Sequence, residues 1–272
     1  MALPVALQLY SVRETAAVDF ADTLRKVKAM GYDGVEFAGL FGLTPEYVKG
    51  LCEGIGLVPI SAHININEMI ADPEKTFSDY ATIGCKFAAV PHVDPERRPR
   101  GAKFEETIET IAKLGEISKK YGIQLLYHNH DFEFTKLDSG EYGIDYMYGH
   151  IDSDLLKTEF DTCWVKVAGE DPADYIMKYS GRTPVVHLKD FEGSKSEQMY
   201  ELIGIKSEKK ENVKNTFRFR PVGYGKQNFR SILEAAIEAG SSYVVVEQDQ
   251  WYDTPALECA KMSRDYLKTL GW

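Results

Sequence analysis

The chain has 272 residues, a formal net charge of −10 and 27% charged residues, with a pI near 5.2. Such an acidic surface repels a phosphate backbone, which argues against nucleic acid as the principal partner and for a small ligand. No basic stretch followed by a long apolar core opens MALPVALQLYSVRE, and no apolar run is long enough to span a bilayer, so a soluble cytoplasmic protein without a membrane partner is expected.

Cys52, Cys85, Cys163 and Cys259 lie far apart without a CxxC pair, which predicts reduced thiols rather than a structural zinc site or a disulfide framework. Short β-branched or aromatic runs alternate along the chain with longer segments of helical period. VALQLY (5–10) precedes DFADTLRKVKAMG, in which Phe20, Leu24 and Val27 recur at helical spacing and Gly31 supplies the stop. DGVEF (33–37) precedes TPEYVKGLCEGIG, where Thr44 caps the first turn and Pro45 takes the position that needs no amide donor. LVPISAH (57–63) leads to PEKTFSDYATIG, KFAAVPH (86–92) to FEETIETIAKLGEISKKYG, and IQLLYHNH (123–130) to YGIDYMYGHI. LKTEFD (156–161) leads to DPADYIMKYSG, TPVVHLKD (183–190) through a long connection to NFRSILEAAIEAG, and YVVVEQD (243–249) to TPALECAKMSRDYLKTL.

Repeated strand–helix units need crossover connections and therefore parallel pairing. Eight units in this length predict an α/β fold, a (β/α)8 TIM barrel forming one domain over residues 1–272. No GxGxxG follows the first strand, which weighs against a dinucleotide domain. Residues from about 191 to 222 read as a solvated insertion after the seventh strand, on the rim that carries chemistry, with KSEKKENVK at its centre.

Strand ends of such a barrel point into one bowl, and here they are polar. They carry Gln8, Tyr10, Glu36, His63, His92, His128, His130, Asp161, His187, Lys189, Glu247 and Asp249, and only His150 among the histidines lies in a helical segment. Glu133, Asp161, His187 and Glu247 each follow or close a hydrophobic run and are expected to converge on one divalent cation. Carboxylates with imidazole and no thiolate favour Mn2+, with Co2+, Mg2+ or Zn2+ as competitors. Such an ion polarises a sugar carbonyl and stabilises the enediolate left when the adjacent C–H loses its proton. His128 and His130, two apart on one strand, face the same side and suit the proton transfer. Glu36, His63 and Lys189 are expected to bind substrate oxygens, Arg220 an anionic group and Trp251 a sugar face.

The stretches VALQLYSVRE, GYDGVEFAG, YHNHDFEF, PVVHLKD, PVGYG and VVVEQD, in this order, resemble the sugar phosphate isomerase/epimerase family of xylose isomerase-like barrels over nearly the whole chain. The resemblance implies one divalent metal held by Glu, Asp, His and Glu from strands five to eight, with metal-bound glutamates also moving protons. Asp161, His187 and Glu247 match that pattern. Where many relatives have Glu followed by Asn-His, this chain has His128, so either His128 or Glu133 is the first ligand. Glu133 is preferred because it preserves the ligand charge and leaves His128, with His130, Glu133 and Glu247, as the acid–base set. The implied activity is isomerisation or epimerisation of a sugar or keto-sugar. The alternative, carried by YHNHDFEF, is a lyase or hydrolase that eliminates the aglycone of a 3-keto-glycoside, acting as a homo-oligomer or with a partner subunit. A DNA-repair nuclease on the same barrel would need a basic groove, which the acidic balance opposes.

Overall fold

The computed structural model describes residues 2–203 and 216–272, so the tract KSEKKENVK lies outside the described residues. Eight parallel strands form the barrel wall: β1 (Val5–Gln8), β2 (Gly34–Phe37), β3 (Val58–Ala62), β4 (Phe87–Val90), β5 (Gln124–His128), β6 (Lys157–Asp161), β7 (Val185–Leu188) and β10 (Tyr243–Val246). β10 pairs with both β1 and β7. The gap between β3 and β4 is bridged by a parallel pairing of His63 with Ala89 and by Ile64 N donating to Ala89 O at 3.0 Å.

The helices follow from capping chemistry. Asp19 accepts from Asp22 N at the start of the helix Phe20–Met30, and Gly31 ends it in the left-handed region at φ 95°. Thr44 and Pro45 open the helix Pro45–Ile55 as expected. Three short helices escaped the sequence reading: Arg13–Val18, Ile66–Ala71 and Thr162–Ala168, the last starting directly at the end of β6 with Asp161 as its N-cap. Among the described residues no helix is long and apolar enough to cross a membrane.

Strand alternation divides the wall into two chemistries. Outward residues such as Leu7, Val35, Phe37, Leu125, Phe160 and Val244 pack in the main core with the apolar residues of the helices. Inward, Ala6, Ile60, Ala89, Leu126, Val185 and Val245 form a separate apolar plug. One inward position further along, the strands carry Gln8, Glu36, His128, Glu159, His187 and Glu247, all buried. The plug therefore closes the barrel from below and leaves the polar layer beneath its open rim.

After β7 the chain forms a short rim ribbon, β8 (Asp190–Glu192) antiparallel to β9 (Arg218–Arg220). Its described flanks are partly packed, with Ser194, Lys195 and Thr216 exposed. Phe191, Met199, Phe217 and Phe219 bury themselves with Cys163 and Trp164 in a small aromatic core. Asp190 ties the ribbon to the PVGYGK turn: its carboxylate accepts from the amides of Phe191 (2.9 Å), Gly223 (3.0 Å), Gly225 (2.8 Å) and Gln227 (3.1 Å).

Candidate active site and metal centre

Four buried side chains from four strand ends, His128, Asp161, His187 and Glu247, place one ligand atom each within 4.8 Å of one another. His128 Nε2 lies 3.7 Å from Asp161 Oδ2 and 4.0 Å from Glu247 Oε2, and His187 Nδ1 lies 3.1 Å from the same Glu247 oxygen. Asp161 is fixed by its own fold position, because Oδ1 caps the following helix through Trp164 N at 2.9 Å. Oδ2 is buried without a hydrogen-bond partner. The Lys189 ammonium, 3.4 Å away, is the cation that faces it in the structure, and a buried carboxylate oxygen without a hydrogen bond is open to a further cation as well. Two imidazole nitrogens and two carboxylate oxygens around it form a set suited to a borderline divalent ion.

Glu133 is not among these ligands. Phe132–Phe134 turns it behind β5, where it is buried with Tyr127 OH donating at 2.7 Å and His130 N at 2.8 Å. Tyr127 alternates with His128 and so faces outward, drawing Glu133 to the outer side of the wall. The expected ligand and base Glu133 therefore lies apart from this group of candidate ligand atoms, whereas His128, the other candidate for the position, lies within it. Burial raises the Glu133 carboxyl to about 7, although both donors oppose the rise.

A second polar layer supports the first. Glu159, two residues before Asp161 and on the same strand face, sets Oε1 2.7 Å from His63 Nε2, 3.1 Å from His128 Nδ1 and 3.2 Å from His187 Nε2. Glu36 Oε1 lies 3.1 Å from His63 Nε2 and 2.8 Å from His187 Nε2, and accepts from Gln8 Nε2 at 2.7 Å. The His187 Nε2 approaches are ion-pair contacts; their angles fall outside hydrogen-bond geometry, and the atom has no hydrogen-bond partner. Burial alone would discharge His187, but Glu159 and Glu36 outweigh it and raise its pKa well above 6.5; His63 is raised for the same reason. His128 is lowered, because burial and the neighbouring histidines prevail over Glu159. His63, His128, Glu159 and His187 make a second set of metal-ligand type, but they share His128 and His187 with the first.

Lys189, 1% exposed, reaches between three carboxylates, at 2.6 Å from Asp249 Oδ2, 3.1 Å from Glu247 Oε2 and 3.4 Å from Asp161 Oδ2. These carboxylates hold it charged against the penalty of burial. Burial and the adjacent Glu247 raise the Asp249 carboxyl to about 7, with Lys189 offsetting part of the rise.

Above the cluster lies a cavity of about 280 Å3, lined by His63, His92, His128, His130, Lys189 and Glu247 among others. His130 is stacked on Phe132 at 4.9 Å and lies 5.2 Å from Trp164, with Nδ1 unpartnered. That burial keeps its imidazole neutral, far below the usual histidine range. Two expected substrate ligands lie elsewhere. Arg220 pairs with Glu192 on the ribbon at 2.5 Å. Trp251 packs on the main core under the Arg13 guanidinium and borders a separate small void. Glu36 sits beneath the cavity, fully buried. Sequence reasoning passed over Glu159 as a site residue, although the alternation in KTEFD places it beside Asp161 on one face.

An inosose dehydratase of Mesomycoplasma hyopneumoniae (strain 7448) is 25% identical over 276 residues, covering 93% of this chain and 89% of that protein. Inosose dehydratases of Clostridium perfringens and Lacticaseibacillus casei match over shorter stretches, and the chain spans about half the length of those relatives. A sugar phosphate isomerase/epimerase from Parabacteroides distasonis ATCC 8503 superposes with a TM-score of 0.75 at 23% identity, covering 98% of each chain. The IolI protein, whose crystal structure holds a zinc atom, superposes with a TM-score of 0.71 at 14% identity and 98% coverage of each. These two superpositions show the shared barrel. A sequence model of the family matches residues 24–270, nearly the whole length, and the chain belongs to the xylose isomerase-like TIM barrel family.

Proposed function

We propose that the protein is a divalent-metal-dependent enzyme that removes the proton beside the carbonyl of a neutral, ring-sized keto-sugar or keto-cyclitol. Loss of a β-substituent, water or an aglycone, is the outcome the site serves best. The observation that carries this reading is the cavity itself: a buried two-nitrogen, two-oxygen ligand set lies at its base and a neutral imidazole on its wall.

When held by His128, Asp161, His187 and Glu247, Mn2+, Co2+ or Zn2+ would supply Lewis-acid polarisation of the substrate carbonyl. His130, kept uncharged by its aromatic walls, is the base that takes the α-proton. Lys189 is placed to donate a hydrogen bond to the enolate oxygen that then develops. His63, kept protonated by Glu36 and Glu159, returns a proton to the departing oxygen as the C–O bond breaks. The product is the α,β-unsaturated ketone and the freed alcohol or water. A neutral substrate follows from the electrostatics. Lys189 is the only lysine or arginine among the described cavity-lining residues, and three carboxylates surround it. The amides of the PVGYGK turn that would hold a phosphate are already taken by Asp190.

Withdrawal of Glu133 removes the second carboxylate that a two-glutamate epimerisation uses, and the similarity to dehydratases supports elimination. Epimerisation or isomerisation is the second reading, supported by the P. distasonis relative's fold and by Glu247, which reaches the cavity beside His130. The test is elemental analysis of purified protein, followed by incubation of the metal-loaded enzyme with inososes and 3-keto-glycosides in deuterated water. Enone or released aglycone supports elimination; deuterium at the α-carbon without release supports epimerisation. His130→Gln is expected to lower kcat by about 10^2 to 10^4 with metal content retained. If none of these ketones exchanges or reacts, the reading fails.

A further inference from the structure

We propose that Tyr10, Ala38 and Pro91 build an apolar leaving-group subsite, so that the group eliminated is an alkyl or aryl alcohol rather than water. This rests on the reading of the protein as an enzyme of β-elimination, and names which of the two leaving groups it takes. The cavity has two unlike halves. His128, His130, Lys189, Glu247 and Asp249 line it from the ends of β5, β7 and β10, and bring its lysine and its carboxylates. Tyr10, Ala38 and Pro91 line it from just beyond the ends of β1, β2 and β4, each half-buried and none charged. His63 and His92 are the other described lining residues on that side.

A keto-sugar or keto-cyclitol ring carries hydroxyls on most of its carbons, and hydroxyls pressed on alanine and proline lose water without gaining a hydrogen bond. The ring therefore belongs to the charged half, with its carbonyl toward the four ligand candidates. Its far side, with the departing group, faces Tyr10, Ala38 and Pro91. The wall order sets this surface: β2 neighbours β3, and the pairing of His63 with Ala89 joins β3 to β4. His63 N donates to Phe37 O at 2.8 Å and Ile64 N to Ala89 O at 3.0 Å, so the chain reaches Ala38 on one flank of His63 and Pro91 on the other. Tyr10 is fixed independently of any ligand. Its amide donates to Gln8 Oε1 at 2.9 Å, and the Arg13 guanidinium lies 4.0 Å from its ring centroid while donating to Tyr10 O at 2.8 Å and Asp249 O at 2.9 Å. Such a preorganised ring meets an apolar group at little entropic cost. Water would leave this surface unused, whereas each methylene buried on it strengthens binding by about fourfold. The products are the enone and the alcohol: one C–H and one C–O bond break, one C=C bond forms, and no co-reactant is needed.

The experiment compares methyl and cyclohexylmethyl 3-keto-β-glucosides on the full-length, metal-loaded protein. Both release a primary alkanol of similar acidity, so intrinsic leaving ability cancels. The expected result is a kcat/KM at least about tenfold higher for the cyclohexylmethyl substrate, falling to near parity in Ala38→Asp through loss on the larger substrate, with an unchanged circular dichroism spectrum. Saturation-transfer NMR, which needs no turnover, should detect cyclohexylmethanol on wild type and not on Ala38→Asp. Parity of the two substrates in wild type overturns the subsite, as does loss of water from inososes with no turnover of either glycoside; elimination itself stands in both cases. Equal losses on both substrates in Ala38→Asp give Ala38 a structural role and overturn it too, and so does a preference or an NMR contact that survives the substitution. If no ketone loses a β-substituent, the reading of the function fails, and the subsite with it.

Discussion

Glu133 and Lys189, one behind the barrel wall and one facing the candidate ligands, each carry a distinct prediction. Glu133, outside the ligand set, has a carboxyl raised from 4.5 to about 7 by burial. The folded state therefore binds a proton more tightly there than the unfolded chain does. The associated stability is full below about pH 4.5 and is lost as pH rises through about 7, a change of up to ~3 kcal/mol. Glu133→Gln should flatten that part of the stability profile in urea melts between pH 5 and 8. It should leave metal affinity unchanged, because its carboxylate accepts from the Tyr127 hydroxyl and the His130 amide behind β5, away from the candidate ligand atoms. Lys189 works the other way. Its ammonium faces the same oxygens of Asp161 and Glu247 that a metal would use. Lys189→Met should tighten Mn2+ or Zn2+ binding by at least about tenfold, since like charges a few ångströms apart repel strongly in a buried site, while turnover drops. Equal or weaker affinity in a titration would show that Lys189 holds the carboxylates in place rather than competing for them.

At the scale of elements, the alternating strands and capped helices were legible because period and caps are local. Phe20, Leu24 and Val27 share a helix face, and Thr44 with Pro45 announces the next start. The placing of Asp161, His187 and Glu247 at strand ends on one rim was legible for the same reason, each ending an apolar run. The Thr162–Ala168 helix was not, because its N-cap is the last residue of a strand and it runs for only 7 residues. The fate of Glu133 was hidden too: it turns on whether a turn folds outward to Tyr127 or inward, which no spacing encodes. The rim ribbon shows a third limit. Its sequence is poorly periodic because its order comes from an aromatic core and from Asp190, not from a repeat. Asp190→Asn places an amide N–H2 against backbone N–H groups that now reach a carboxylate. Leaving such donors unpaired costs about 1–3 kcal/mol, so a lowered melting temperature is expected, with loss of activity that tracks the ribbon's position beside Lys189. An unchanged melting temperature would show that the PVGYGK turn holds itself.

Across the whole molecule, the barrel concentrates opposed charges where a fold tolerates them least. Glu36, Glu159, Asp161, Glu247 and Asp249 are all buried within one polar layer, against one lysine and a group of imidazoles. The apolar plug beneath them keeps water from relieving that charge from below. The four ligand candidates come from the ends of β5, β6, β7 and β10, half of the wall, so a cation between them adds to the side-chain contacts that Glu159, His187 and Lys189 already make across these strands. Binding to the folded state alone must then stabilise the entire barrel, by about 2.7 kcal/mol at a free metal concentration 100 times Kd. Zn2+ or Mn2+ added to chelator-treated protein should raise the melting temperature in a concentration-dependent way, and Asp161→Asn should abolish the rise. Glu133→Gln should preserve it. A rise that survives Asp161→Asn but vanishes in Glu133→Gln would return Glu133 to the ligand set and place the centre behind β5 rather than in the barrel mouth.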